Sequence, residues 1–311
     1  MASRALEALG PIVAATLAAG TPLVFAALGE LVAERAGVLN LGVEGMMLVG
    51  ALSAFAATSA GGHVWIGVLA GAGAGAALAL VFGVLAHTLR ANQVAAGLAL
   101  GLFGVGLSAF AGKPFESVSL RPIPPLHVPG LSGLPVLGPI LFAQPVLVYL
   151  SWGLFGLVSW FLARTRAGLI LRAVGESPAS ARAIGYPVIG IRYLATLFGG
   201  AMAGVAGAYL STMYTPMWVE GMTAGRGWIA LALVVFATWR PARVLVGAYL
   251  FGGVTIGQFF AQGAGVAVAS QLLSSLPYVA TIVVLVLISR DPAVIRRHAP
   301  VSLGVPYHPE G

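Results

Sequence analysis

Arg172–Pro187 reads RAVGESPASARAIGYP. It lies between two apolar runs, at about 140–163 and 194–214, each long enough to cross a bilayer, which takes about 20 residues of helix. Ser177 is a good helix N-cap, Pro178 suits the first helical position, and Gly185 suits the residue past the end. Pro187 blocks an early restart. A short helix of about two turns is therefore expected outside the bilayer, between two spans. Such a helix is either a docking element or a plain helical connector, and the local signals fit both equally.

Working outward, the chain around this stretch has 311 residues, of which 59% are hydrophobic and only 8% charged, with a mean hydropathy of +0.97. Soluble domains carry roughly a quarter charged residues, so lipid must be the solvent for much of this surface. The 43 glycines show no Gly-X-Y period and suit close helix approach in a membrane. The net charge of +7 would suggest nucleic acid in a soluble protein. Here the arginines sit between apolar runs, where they set topology, and no nucleic-acid partner is expected. With no cysteine, disulfides, thiolate catalysis and cysteine metal sites are excluded. The apolar run Pro11–Leu28 after Arg4 lacks a clear cleavage site and reads as a retained membrane segment.

Apolar runs recur at roughly 11–29, 37–58, 64–86, 93–112, 140–163, 194–214, 227–239, 244–262 and 271–289. The expectation is an all-α polytopic membrane protein, a single transmembrane domain over 1–311 with about eight to ten transmembrane helices. The region 30–44, with Glu30, Glu34, Arg35 and Glu44, leaves room for a broken or re-entrant helix. Arg164, Arg166, Arg172, Arg182 and Arg192 fall in the connector 164–193, Arg240 and Arg243 in a later one, and Arg290, Arg296 and Arg297 after the last run. This puts 164–193, 240–243 and 290–311 in the cytoplasm, and 215–226 and 263–270 outside. The stretch 113–139, rich in proline, is then an external, extended loop, either packed over the bundle or part of a docking face.

No catalytic constellation is present. The single lysine, Lys113, precedes Pro114, so a phosphate-cradling Gly-Lys-Ser/Thr loop is excluded. The five histidines show no metal-like pairing, and no Gly-x-Ser-x-Gly elbow occurs. The chain is not expected to be an enzyme, or to hold a metal or cofactor. What remains is a thin set of polar residues in or beside spans. Asn40 and Glu44 are four apart and are expected on one helix face. A carboxyl there costs about 3 kcal/mol at mid-bilayer, so it lines a polar path, sits near an interface, or is tied by hydrogen bonds to a neighbouring helix. Asn92 with Gln93, and Gln258 with Gln262, are either pathway-lining or helix termini. Glu220 and Arg226 flank a short outer loop beside Trp228. Gly200 with Gly204, and Gly71, Gly73 and Gly75, read as packing surfaces.

Four stretches in order carry a resemblance. Asn40–Leu48 (NLGVEGMML) follows Gly29-Glu30 and Glu34-Arg35-Ala36-Gly37. Asn92-Gln93-Val94 precedes Gly97-Leu98-Ala99-Leu100. Gly175-Glu176 precedes Ala181 and Gly185, and Gly225–Ala232 (GRGWIALA) leads into Trp239-Arg240-Pro241. Together these resemble the permease subunits of ABC importers of the ribose, branched-chain amino acid and nucleoside group, most closely its nucleoside branch, whose binding proteins are basic membrane lipoproteins.

The resemblance implies a type II ABC importer permease in a bacterial inner membrane, importing nucleosides by alternating access. It implies a second, longer permease chain, two ATPase subunits that bind the ATP, and an external substrate-binding lipoprotein. It places the ATPase-coupling helix in the 164–193 loop, with Gly175, Glu176, Ser177, Arg182 and Gly185. The substrate pathway falls to Asn40, Glu44, Asn92, Gln93 and Gln258. Gly101 departs from the pattern, which has a polar residue there. The alternative is a stand-alone secondary transporter driven by an ion gradient, with Glu44 as proton carrier.

Overall fold

A computed structural model describes residues 2–127, 129–134, 137–263, 270–289 and 298–308. Among them α-helices follow in the order α1 (Ala2–Arg35), α2 (Val43–Ser59), α3 (Val64–Gly83), α4 (Gln93–Gly112), α5 (Val146–Arg164), α6 (Arg166–Glu176), α7 (Pro178–Ala183), α8 (Val188–Tyr209), α9 (Arg226–Phe236), α10 (Pro241–Gly263) and α11 (Ser270–Ser289). Single π-turns extend α3 to Thr88 and α8 to Tyr214. Among the described residues, six segments are long and apolar enough to cross a membrane: Gly10–Arg35, Val64–Thr88, Gln93–Phe115, Val146–Arg164, Val188–Tyr214 and Pro241–Gly263. Val43–Ser59 and Arg226–Phe236 are shorter apolar helices. The β-pairing among the described residues is an isolated bridge between Ser119 and Met217. The chain is thus a multi-pass, helical membrane protein.

The bundle is built on glycine. α2 is apolar all round and buried on nearly every side from Val43 to Phe55, as a helix enclosed by others must be. It packs against α3, α4 and α8, and α1 packs along α8 and α10. A Cβ on Gly50 of α2 would lie 2.5 Å from the Cα of Gly204 on α8. One on Gly71 of α3 would lie 2.9 Å from Gly50 O and 3.1 Å from Gly204 O. Three backbones therefore meet where only glycine fits, the small-residue packing that compensates for the weak hydrophobic drive between helices in lipid. Gly75 meets Gly200 and Gly204 in the same way. Gly73 does not: a Cβ there would meet nothing within 4 Å, because it is two residues from Gly71 and Gly75 and so points away from their face.

One helix begins late and another is short. The run 37–58 is helical only from Val43, and residues 36–42 form an irregular turn. Asn40 lies in that turn and not on the α2 face that carries Glu44, contrary to the expected sharing of a helix face. The cause is local: Asn40 Oδ1 accepts the Gly42 amide at 2.9 Å, an Asx-turn bond that competes with helix. Gly37, at φ +84°, reverses the chain after α1. α9 has 11 residues, about 16 Å of helix against a hydrocarbon core of about 30 Å. Arg226, expected to flank the short outer loop, is the first residue of α9.

The connector 164–193 holds two helices where the sequence showed one. α6 starts at Thr165, whose hydroxyl accepts the Gly168 amide at 2.9 Å, and it buries Leu171, Val174 and Gly175. α7 matches its expected signals. The Ser177 hydroxyl accepts the Ser180 amide at 3.3 Å, Pro178 is the first helical residue, and Gly185 follows the end at φ +92°. Arg192 is not a loop residue. It lies in α8 at 1% exposure, its cost met by backbone and hydroxyl acceptors.

In the proline-rich stretch 113–139, Val128, Pro135 and Val136 lie outside the described residues. The rest is a 3-10 turn at Lys113–Phe115, non-helical chain to His127, further turns, and the start of a π-helix at Gly138–Phe142. Leu120 N donates to Pro216 O at 2.9 Å, tying the stretch to the chain after α8.

Candidate coupling surface and the Glu44 junction

One end of the bundle collects the arginines. Arg35, the last residue of α1, donates to Trp239 O at 2.7 Å. Arg240 and His298 approach at 2.9 Å. Arg192 reaches Ser302 at 2.9 Å, and Ser302 in turn bonds to Gly175 of α6. α7 stands at this end. Its Ala181 packs with Val174 of α6 and Val188 of α8, while Ala179, Arg182, Ala183 and Ile184 are exposed, Ile184 by 70%. Gly175 is buried, where a Cβ would run into Arg35 O. Glu176 is exposed at the end of α6. The five residues expected to couple thus divide. Ser177 and Gly185 shape α7, Gly175 seats α6 against α1, and Glu176 and Arg182 face outward.

Glu44 is the centre of the polar interior. It is 6% exposed, and both carboxylate oxygens are occupied. Oε1 accepts the Thr223 hydroxyl at 2.5 Å and the Gly225 amide at 2.8 Å. Oε2 accepts the Gly227 amide at 2.6 Å. Gly225 is the α9 N-cap, in the left-handed region at φ +75°. A carboxylate is thereby set at the start of a helix, where free amides and the helix dipole favour negative charge. Glu44 is a cap supplied from another helix.

The other expected pathway residues are also engaged. Asn40 donates its backbone amide to Glu30 Oε1 at 3.2 Å. Asn92 caps α4 by accepting the Ala95 amide at 3.0 Å. Gln93 is fully buried, and its Oε1 accepts the Leu39 amide at 2.8 Å. Gln258 is buried on α10, whereas Gln262, one turn on, is exposed. Gly101, the departure from the family pattern, faces Gly45 so closely that a Cβ on Gly45 would lie 2.7 Å from Gly101 O.

Sequence reasoning gave no role to two further buried carboxyls, Glu30 and Glu34. Glu34 is 0% exposed, and its Oε2 accepts Trp239 Nε1 at 2.5 Å. The residues between α9 and α10 fold back on themselves, with Thr238 and Trp239 at φ +50° and +53°. Arg243 donates to the Thr238 hydroxyl at 2.7 Å. The available signal was the pairing of a Glu-Arg at the end of one apolar run with a Trp-Arg-Pro at the end of another.

Comparison with known proteins gives the family. The family described as branched-chain amino acid transport system / permease component matches residues 12–288. TsgC13 of Haloferax volcanii, an ABC transporter permease provisionally assigned to glucose, is 44% identical over 314 residues, covering 94% of each chain. The guanosine ABC transporter permease protein NupQ of Bacillus subtilis is 31% identical over 323 residues, covering 97% of this chain and 98% of its own. The nucleoside ABC transporter permease protein NupC of Lactococcus lactis is 35% identical over 289 residues, covering 89% of this chain and 91% of its own. With a helical bundle, a match over nearly its whole length and relatives of the same size, this chain belongs to the family described as branched-chain amino acid transport system / permease component, and the relatives it resembles are ABC transporter permeases.

Proposed function

We propose that this chain is the nucleoside-translocating subunit of an ATP-driven importer, with its arginine-rich end in the cytoplasm and α7 as the helix that docks into the ATPase. The observation that carries this reading is α7 itself, a six-residue helix with a hydroxyl cap at its start and a left-handed glycine past its end, exposed at the arginine-rich end. Arginine-rich connectors favour the cytoplasmic side. ATP would be bound and hydrolysed on two separate ATPase subunits, since the sequence has no Gly-Lys-Ser/Thr loop. A second permease chain and an external binding lipoprotein would complete the assembly.

Closure of the ATPase pair would push on α7. The Val174–Ala181–Val188 contact passes that push to α8, and α8 packs against α1, α2 and α3 at once. A rigid centre of glycine contacts then converts displacement at one end into movement of the whole bundle, as packed elements shift between discrete arrangements. Asn40, Glu44, Asn92 and Gln93 serve as the frame of the substrate pathway through their bonds to backbone, and Gln258 on α10 as a lining residue. The hydrogen bonds that occupy both Glu44 oxygens weigh against its use as a proton carrier, and so against the secondary-transporter alternative.

Nucleosides are the substrate we favour, on the family pattern and on the names of NupQ and NupC. The similarity to TsgC13 favours a hexose as the second reading. Uptake by the full set of subunits against nucleosides, bases, pentoses and glucose decides. Nucleoside uptake that needs ATP and ignores glucose is expected. Uptake of glucose alone overturns the substrate, and uptake by the lone permease overturns the ATP-driven reading.

A further inference from the structure

The segment 298–308 crosses the arginine-rich end and is stitched down along its length. Ser302 donates to Gly175 O from both its amide, at 3.0 Å, and its hydroxyl, at 2.7 Å. The same hydroxyl accepts from Arg192 at 2.9 Å. Arg192 also donates to Val305 O at 3.1 Å, and Gly304 N donates to Gly37 O at 3.2 Å. Tyr307 packs on the cluster that seats α7, with its ring 6.0 Å from the Arg192 guanidinium carbon. Four separate parts of the chain therefore hold this segment beside α7.

Between the two lies an open cleft of about 640 Å³. α7 forms one wall, through Ala179 and Arg182. Tyr307 and His308 belong to the other, and Arg192 and Ser302 form the floor. Among the described residues that line it none is acidic. Arg192 Nε is buried and has no hydrogen-bond partner, although buried donors are nearly always satisfied. A six-residue helix is only about 9 Å long and alone presents a small part of the roughly 800 Å² that each side of a stable interface buries. A second wall would extend the contact area.

We propose that residues 305–308 are the second wall of the docking groove, and that the groove receives a carboxylate-bearing segment of the ATPase subunit, with Arg182 as its contact and the Ser302–Arg192–Gly175 bonds holding the wall in place. The inference rests on the docking role of α7 given above. Charge complementarity selects the occupant, since the cleft offers arginine on its wall and in its floor with no acid against them.

The absence of native cysteine makes the test direct. Ala179→Cys and His308→Cys, made singly at exposed positions, report each wall by their rate of maleimide labelling in nanodiscs. The discs are neutral, of phosphatidylcholine, or anionic, with added phosphatidylglycerol, and are measured with and without a cysteine-free cognate ATPase. The ATPase is expected to slow labelling at both sites by about tenfold, and Arg182→Glu to weaken ATPase retention by about tenfold. Ser302→Ala should release protection at residue 308 and leave it at residue 179. Protection at residue 179 alone overturns the second wall and leaves the docking role of α7 standing. Protection at neither site overturns both. Protection by anionic discs without ATPase overturns the proposal in favour of a lipid surface.

Discussion

The Glu44 carboxylate and the Gly227 amide meet at 2.6 Å, and the contact exists only because residue 227 has no side chain. A Cβ there would lie 2.5 Å from Glu44 Cα and 2.7 Å from its Oε2. Glu44→Gln would replace one acceptor oxygen with an NH2 group facing backbone donors. A loss of about 2–3 kcal/mol is expected, the cost of unpairing a buried charge-assisted bond. Thermal unfolding in detergent should show it, with the substrate KM of the surviving protein unchanged. A normal melting temperature with a raised KM would instead make Glu44 a substrate contact.

The glycine contacts give a pair of opposite outcomes. Gly204→Leu should prevent assembly of the α2–α3–α8 centre, because a side chain there collides with the Gly71 backbone. The cost should exceed the roughly 1–3 kcal/mol of ordinary overpacking. Gly73→Leu, on the same helix as Gly71 but facing open space, should leave yield and melting unchanged. Size-exclusion profiles of the two variants check both.

Trp239→Phe keeps an aromatic ring, though a smaller one, and removes the donor to Glu34. Oε1 of Glu34 is already buried without a partner, so the variant would leave the whole carboxylate unsatisfied. A loss of about 2–3 kcal/mol is expected, read as a lower melting temperature. The loop between α9 and α10 should also become accessible to protease.

Gly185→Val places a β-branched residue at φ +92°, where strain costs about 1–2 kcal/mol or more. Nothing crowds this position, since a Cβ would meet nothing within 4 Å. The effect should therefore stay within the end of α7. Membrane insertion should be normal, while substrate uptake and substrate-stimulated ATP hydrolysis fall together. Uptake at the normal rate would show that the shape of α7 does not matter to coupling.

Much of the architecture was legible because its signals are local. Long apolar runs, Ser177 with Pro178, and Gly185 each act within a few residues, and the helices they mark are present. The parts that were not legible depend on distant partners. Asn40 and Glu44 have helical spacing, yet an Asx-turn bond two residues long outcompetes the helix at Asn40. Arg192 looks like a topology-setting loop cation until Ser302 and Val305 supply acceptors 110 and 113 residues away. Glycine spacing showed which residues are small but not which face they share. Gly73 thus read like its neighbours, although the helix turns it outward.

The shortness of α9 dictates an order of events during synthesis. An 11-residue helix is too short to cross the hydrocarbon core by itself, and it begins with a charged residue, Arg226. Its start is closed by Glu44, 183 residues earlier in the chain, and the turn after it by Glu34, 205 residues before Trp239. Both partners of α9 therefore leave the ribosome long before it, and α9 closes its two ends only against α1 and α2. The first fifth of the protein is a mould for its last third, and an error in α1 or α2 would surface as a misplaced α9.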